Sequence, residues 1–166
     1  MKQLLLVRHA IALERDEAAT RGISDANRPL TGKGEAKMQR IAQVLQRQLP
    51  RVGQLLCSPY LRTRQSAAIL AEAWQCQPSP CEALQPGGDP QLLLAQLASN
   101  TSDPIVLVGH EPDLSELLGL LLCGQPRSFV RMKKGGAALL RLDDQPSPGS
   151  AELQWQMNPK QLLGLD

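Results

Sequence analysis

QLLLVRHA, residues 3–10, runs four apolar residues, Leu4 to Val7, straight into Arg8 and His9. No polar residue alternates with them, so the run reads as a strand buried on both faces, the pattern of a parallel sheet covered by helices. DPIVLVGH (103–110) repeats it and ends on the other of the chain's two histidines, His110. GQLLCSP (53–59) is a third short apolar strand, and it leads into PYLRTRQS, which carries Arg62 and Arg64.

Amphipathic helices separate these strands. A helix begins near Thr31, a side chain suited to an N-cap. Met38, Ile41, Ala42 and Leu45 then mark one apolar stripe, which Pro50 closes. Ala67, Leu70, Ala71 and Trp74 share a face of the next helix. Asp89-Pro90 reads as an N-cap and first-turn pair opening a helix through Leu97. Leu114, Leu117, Leu118, Leu121 and Leu122 form the cleanest stripe of all. From Gly135 the pattern changes: GGAALLRL, the turn DDQPSPGS and AELQWQM read as a hairpin. Residues 11–30 read as a polar loop, long for a strand–helix connection and so a candidate for function. The predicted fold is α/β: a three-layer, mostly parallel sheet flanked by helices, with a C-terminal antiparallel hairpin, in one domain spanning 1–166.

Composition narrows the function classes. Hydrophobic residues make up 42% and charged residues 20%, ordinary for a soluble globular chain. With only two Trp, one Tyr and one Phe, the core must be built from Leu, Ala, Val and Ile, and stacking platforms for single-stranded nucleic acid are lacking. A net charge of +2 is far from the basic stripe of a nucleic-acid binder. Cys57, Cys76, Cys81 and Cys123 contain no CxxC pair and read as reduced thiols of a cytoplasmic protein, with a Cys76–Cys81 disulfide as the lesser alternative. Arg8-His9 interrupts the first apolar run too early for a signal peptide, and no run approaches the ~18 apolar residues of a membrane span. Two histidines among arginines do not make a metal site, so no cofactor or metal is expected.

In parallel sheets ligands bind beyond the carboxyl ends of the strands. Arg8-His9, the arginines after the second strand and Gly109-His110 all fall there. If the strands are neighbours, two imidazoles and several guanidiniums meet in one pocket. Guanidinium forks match phosphate oxygens. Surrounding positive charge disfavours imidazolium, leaving a neutral histidine with a free lone pair. Such a pocket reads as phosphoryl transfer through a phosphohistidine intermediate.

LVRHA, SPYLRTRQSA and VLVGHEP, in this order and across nearly the whole chain, resemble the histidine phosphatase superfamily, which has the fold of phosphoglycerate mutase. The small size, NRPLTGKGEA and WQMNPKQLL are similar to its SixA-type phosphohistidine phosphatase branch. The resemblance implies that His9 accepts the phosphoryl group and that Arg8 and Arg62 clamp its oxygens. It further implies that His110 donates a hydrogen bond to it and that Arg28 supplies a third guanidinium. The family's pocket arginine follows Ser58 by four residues, which selects Arg62; Arg64 would project about 200° away on a helix. Arg64 and Arg21 are left as surface charges, and Glu111 as a first-turn acid favourable to a helix dipole.

Two positions depart from the family pattern. Ala10 stands where most members have Gly, at a cost of about 1–2 kcal/mol if that position requires positive φ. The lid region carrying a general acid in larger members is reduced to CEALQPGGD, with Glu82 and Asp89 as its only candidates. An alkoxide leaving group needs such an acid, whereas an imidazole leaving from a P–N bond does not. The expected substrate is therefore a phosphohistidine-bearing protein of phosphorelay type, met by a monomer with no nucleic-acid or membrane partner. The alternatives are a small-molecule phosphomonoesterase using Glu82 or Asp89, and a non-catalytic module that binds phosphoproteins.

Overall fold

Lys2–Arg8 forms strand β1, near the middle of a six-stranded sheet in the computed structural model, which describes residues 1–166. Gln54–Cys57 is β2, Pro78–Pro80 β3, Ile105–Gly109 β4, Ala137–Leu142 β5 and Glu152–Met157 β6. Their spatial order is β3-β2-β4-β1-β5-β6. β1, β2, β3 and β4 run parallel, while β5 and β6 form the antiparallel hairpin at one edge.

The apolar strands are two-faced, as the uninterrupted runs predict. In β1, Leu5 and Val7 pack with Met38, Ile41 and Leu45 of helix α2 (Gly32–Gln48) and with Ala67 and Leu70 of α3 (Leu61–Trp74). Leu4 and Leu6 point the other way, to Leu93, Leu94 and Leu97 of α4 (Pro90–Ser99) and Leu114, Leu117 and Leu118 of α5 (Asp113–Cys123). Helices therefore cover both faces and the architecture is the three-layer α/β one expected. The helix starts follow their caps: Thr31 Oγ1 accepts from the Gly34 backbone N–H at 3.0 Å, and Asp89 from that of Gln91 at 2.8 Å. None of the helices is long and apolar enough to cross a membrane. The four cysteines are unbonded.

The structure corrects the reading of one segment and adds two short elements. Residues 11–30 are not a plain loop: Arg15–Thr20 is helix α1, Asp25–Asn27 a 3-10 turn, and Ala12 bridges Leu30. Ala12, Leu13, Ala18 and Leu30 are buried, so the segment folds down on its few apolar residues and leaves its charges outside, Arg28 excepted. Pro78–Pro80 is an edge strand, a place where missing N–H donors cost least. Pro159–Leu163 is a short helix α6, started by an Asn158–Gln161 capping box.

One connection matters for the site. From the adjacent strands β1 and β4 the chain departs to opposite faces, towards α2 and α5 respectively, and a crevice opens between the departing loops. The Arg8–Gly109 pairing places His9 and His110 at that crevice, and the ladder extends one step further, with His9 N–H donating to the Gly109 carbonyl at 3.1 Å.

Candidate active site

The crevice is a cleft of about 430 Å³ whose lining includes Arg8, His9, Arg28, Arg62 and His110. All five residues singled out in the sequence therefore converge. The two imidazole rings lie 5.3 Å apart, centroid to centroid. His9, Arg28, Arg62 and His110 are each under 7% exposed, which is unusual for charged or titratable side chains and needs a structural account.

That account lies in the hydrogen bonds. His9 Nδ1 is 2.7 Å from the Ala10 carbonyl oxygen, which can only accept, so Nδ1 carries the proton and Nε2 keeps its lone pair. The Ala10 N–H donates to Ser66 Oγ, and Ser66 Oγ donates to the Arg62 carbonyl, which ties the nucleophile loop to α3. Ala10 does not adopt positive φ; Gln75 is the one non-glycine residue that does. The strain that alanine would have brought is absent.

His110 Nε2 is 2.8 Å from Ser58 Oγ, which also accepts from the Tyr60 N–H at 3.3 Å. The serine hydroxyl proton has no other acceptor than that nitrogen. His110 thus holds its own proton on Nδ1, which has no hydrogen-bond partner within the protein. Tyr60 closes the ring's other side edge-on at 5.4 Å, and the Arg62 guanidinium lies over the tyrosine at 5.1 Å.

The arginines are fastened at one end and free at the other. Arg8 Nη1 donates to the Met132 carbonyl at 2.8 Å, and Arg28 Nη1 to the Leu13 carbonyl at 2.6 Å. Asp25 holds two of them at once. It accepts from Arg28 Nε at 2.9 Å and from Arg62 Nη2 at 3.3 Å, while its carbonyl takes Arg62 Nη1 at 2.7 Å. Burial pushes the Asp25 carboxyl up, but Arg28 and Arg62 outweigh it and hold the group below its usual range. Arg8 Nε, Arg62 Nε and His110 Nδ1 are three of only four buried side-chain N or O atoms without a partner in the whole chain. That all three belong to one cleft, and that all are donors, fits a site built for an anion with several oxygens.

Burial is the largest reason that both histidines are held neutral, each lowered to about 3. Arg62 and Arg8 add to it in both cases, so the cationic surroundings inferred from sequence are the lesser cause. The sign for stability follows. The unfolded chain takes up protons on both rings near 6.5 while the folded one does not, so their contribution is complete above pH 6.5 and is lost as pH falls towards 3. Each ring then removes up to about 1.4 kcal/mol per pH unit below 6.5. Urea unfolding between pH 7 and 5 is expected to show this decline, and imidazole NMR to show both rings neutral at pH 5.5. An imidazolium signal from the folded protein at that pH would contradict the burial argument.

Other expectations fare differently. Arg64 is exposed and belongs to a separate cleft with Cys57, Pro59 and Leu61, as a surface charge should. Neither Glu82 nor Asp89 lines the histidine cleft. Glu82 instead bonds Gln85, and Asp89 caps α4. The carboxylates that do line it are Glu14, Asp16 and Glu111. Glu111 is more than a first-turn acid: besides Ser115 it accepts from the Met132 N–H at 3.4 Å, steadying the carbonyl that holds Arg8. Ser58, Tyr60, Ser66 and Asp25 were missed as site residues. Asp25 alone left a usable signal, its i,i+3 spacing to Arg28.

Comparison with known proteins identifies the family. The sequence pattern of the histidine phosphatase superfamily (branch 1) matches residues 4–86, half of the chain. An uncharacterised protein of Picosynechococcus sp. is 39% identical over 144 residues, 84% of either chain. Phosphohistidine phosphatase SixA of Escherichia coli is 30% identical over 95% of this chain and 94% of its own. Among solved structures, the protein histidine phosphatase SixA complexed with tungstate superposes with a TM-score of 0.82 at 26% identity, covering 96% of this chain and 99% of that one. Strand order, paired histidines and the match along almost the full length have one explanation: the chain belongs to the histidine phosphatase superfamily.

Proposed function

We propose that this protein is a phosphohistidine phosphatase working through a phosphoryl group carried on His9. The observation that bears most weight is the fixed tautomer of His9, whose proton is committed to the Ala10 carbonyl in a cleft ringed by buried guanidiniums. The Nε2 lone pair attacks phosphorus, the Nε2–P bond forms and the bond to the substrate's nitrogen breaks, the departing imidazole taking its proton from solvent. Arg8, Arg28 and Arg62 hold the phosphoryl oxygens, and His110 donates to one through Nδ1 as charge shifts onto them. Water then attacks phosphorus, the Nε2–P bond breaks, and inorganic phosphate leaves. Support comes from the three unpartnered donors and from the tungstate bound by the SixA relative, a tetrahedral oxyanion shaped like phosphate.

Glu14 favours a second reading, since it lines the cleft mouth and could protonate an alkoxide, which would make the protein a phosphomonoesterase. Its side chain is 72% exposed and turned to Lys134 at 3.4 Å, so nothing in the structure holds it against a leaving group. The test is to compare phosphate release from a phosphohistidine peptide and from phosphoserine, an alkyl phosphate, with acid quenching avoided so that phosphorus on His9 survives for mass spectrometry. Faster turnover of the peptide, with phospho-His9 trapped in transit, is the expected result. Ester turnover equal to the peptide's, and lost in Glu14→Gln, would replace this reading with the second.

A further inference from the structure

Between α5 and β5 the chain runs GQPRSFVRMKKGG, residues 124–136, with neither helix nor strand. It holds Arg127, Arg131, Lys133 and Lys134 and no acid. Four basic residues here exceed the net charge of +2 for the whole chain, so the rest of the protein is net acidic. The chain's single phenylalanine, Phe129, also lies here and is 53% exposed, one of few large apolar side chains outside the core.

The segment is not loosely attached. Its Met132 carbonyl holds Arg8, its Gly135 N–H donates to the carbonyls of both Arg8 and His9, and Lys134 lines the cleft. At its other end it lies against α5 so closely that a Cβ at Gly119 would come within 2.2 Å of the Arg127 carbonyl oxygen. Fixed at both ends, it carries exposed cations and one exposed aromatic ring over the surface between α5 and the cleft that Lys134 lines. Surface charges of one sign steer and orient an oppositely charged partner, and an exposed aromatic ring is a common anchor at such contacts.

We infer that residues 125–134 are the docking surface for the substrate, and that the substrate is a protein whose phosphohistidine is flanked by acidic residues. This rests on the phosphohistidine reading above and sharpens it. The phosphoryl group enters the cleft while Arg127 and Lys133 meet carboxylates beside it and Phe129 packs against an apolar side chain of the partner. Substrates without flanks reach His9 equally well but gain nothing from the segment.

Three probes decide the matter: a synthetic phosphohistidine peptide flanked by glutamates, its counterpart flanked by lysines, and N-phosphoimidazole. The native protein is expected to show kcat/KM at least about tenfold higher for the glutamate peptide than for the lysine one. This preference should shrink on raising NaCl, because the charges are exposed. The triple variant Arg127→Ala, Phe129→Ala, Lys133→Ala should lose the preference while hydrolysing N-phosphoimidazole at the native rate, which also shows that it folds. Indifference of the native protein to the flanks, with N-phosphoimidazole still hydrolysed, overturns the docking surface alone. An equal loss for all three probes in the variant overturns it too. Failure of the native protein on all three probes removes the catalytic reading and the docking surface together.

Discussion

A His9→Ala protein is expected to release phosphate at least about 10⁴-fold more slowly than the native chain, because the covalent step has no substitute nucleophile. The reason lies in how the remaining groups of the cleft are committed. His110 has one nitrogen engaged with Ser58 and, by the argument above, the other protonated. The arginines are cations without lone pairs to offer. The fold should be little affected, since alanine deletes a buried ring held by a single hydrogen bond to its own neighbour's carbonyl. Phosphate release from a phosphohistidine peptide, followed alongside the circular dichroism of the variant, measures both halves of the statement. If His9→Ala kept a tenth of the native rate, the phosphoryl acceptor would have to be sought elsewhere.

Arg62→Ala should come next in size, lowering kcat/KM by about 10³-fold, the scale on which a guanidinium supports phosphoryl transfer. Arg62 is 2% exposed, and two of its nitrogens are taken by Asp25, which leaves Nε as the unpartnered donor. Arg62→Lys tests the geometry as distinct from the charge. An ammonium cannot bond the Asp25 carbonyl and carboxylate while still presenting a donor at the Nε position, so lysine should recover no more than about tenfold of the loss. Arg64→Ala is the control on the same helix and should leave turnover unchanged, because Arg64 belongs to the neighbouring cleft. Recovery of full activity by lysine would mean that only positive charge is needed at this place.

Much of this architecture was legible in the chain itself. The unbroken apolar runs at 4–7 and 105–108 could be satisfied only by strands covered on both faces, and the leucine stripe at 114–122 only by a helix against them. Those patterns fix the α/β class, and the class places strand-end residues at a ligand-binding edge, which is why Arg8, His9, His110 and the arginines after the second strand could be named together; the choice of Arg62 over Arg64 came from the family resemblance. The short elements were harder to read. Pro78–Pro80 is a strand because β2 lies beside it, and Arg15–Thr20 is a helix because Ala18 finds a buried place; neither fact is written in local propensity.

What the sequence determined by itself is the edge of the sheet at which His9, His110 and the neighbouring arginines meet, because side-chain burial is periodic and periodicity can be read from a single chain; Arg28 was added by the resemblance alone. What only the tertiary structure decided is the state of those groups. The tautomer of His9 depends on a carbonyl that turns back onto its ring, and the aim of Arg28 and Arg62 on a carboxylate from the segment read as a loop. The neutrality of both imidazoles depends mainly on how much solvent the surrounding elements exclude. Hydrogen bonds and desolvation are set by distances of a few ångströms between residues remote in the chain, and a linear pattern carries no record of them.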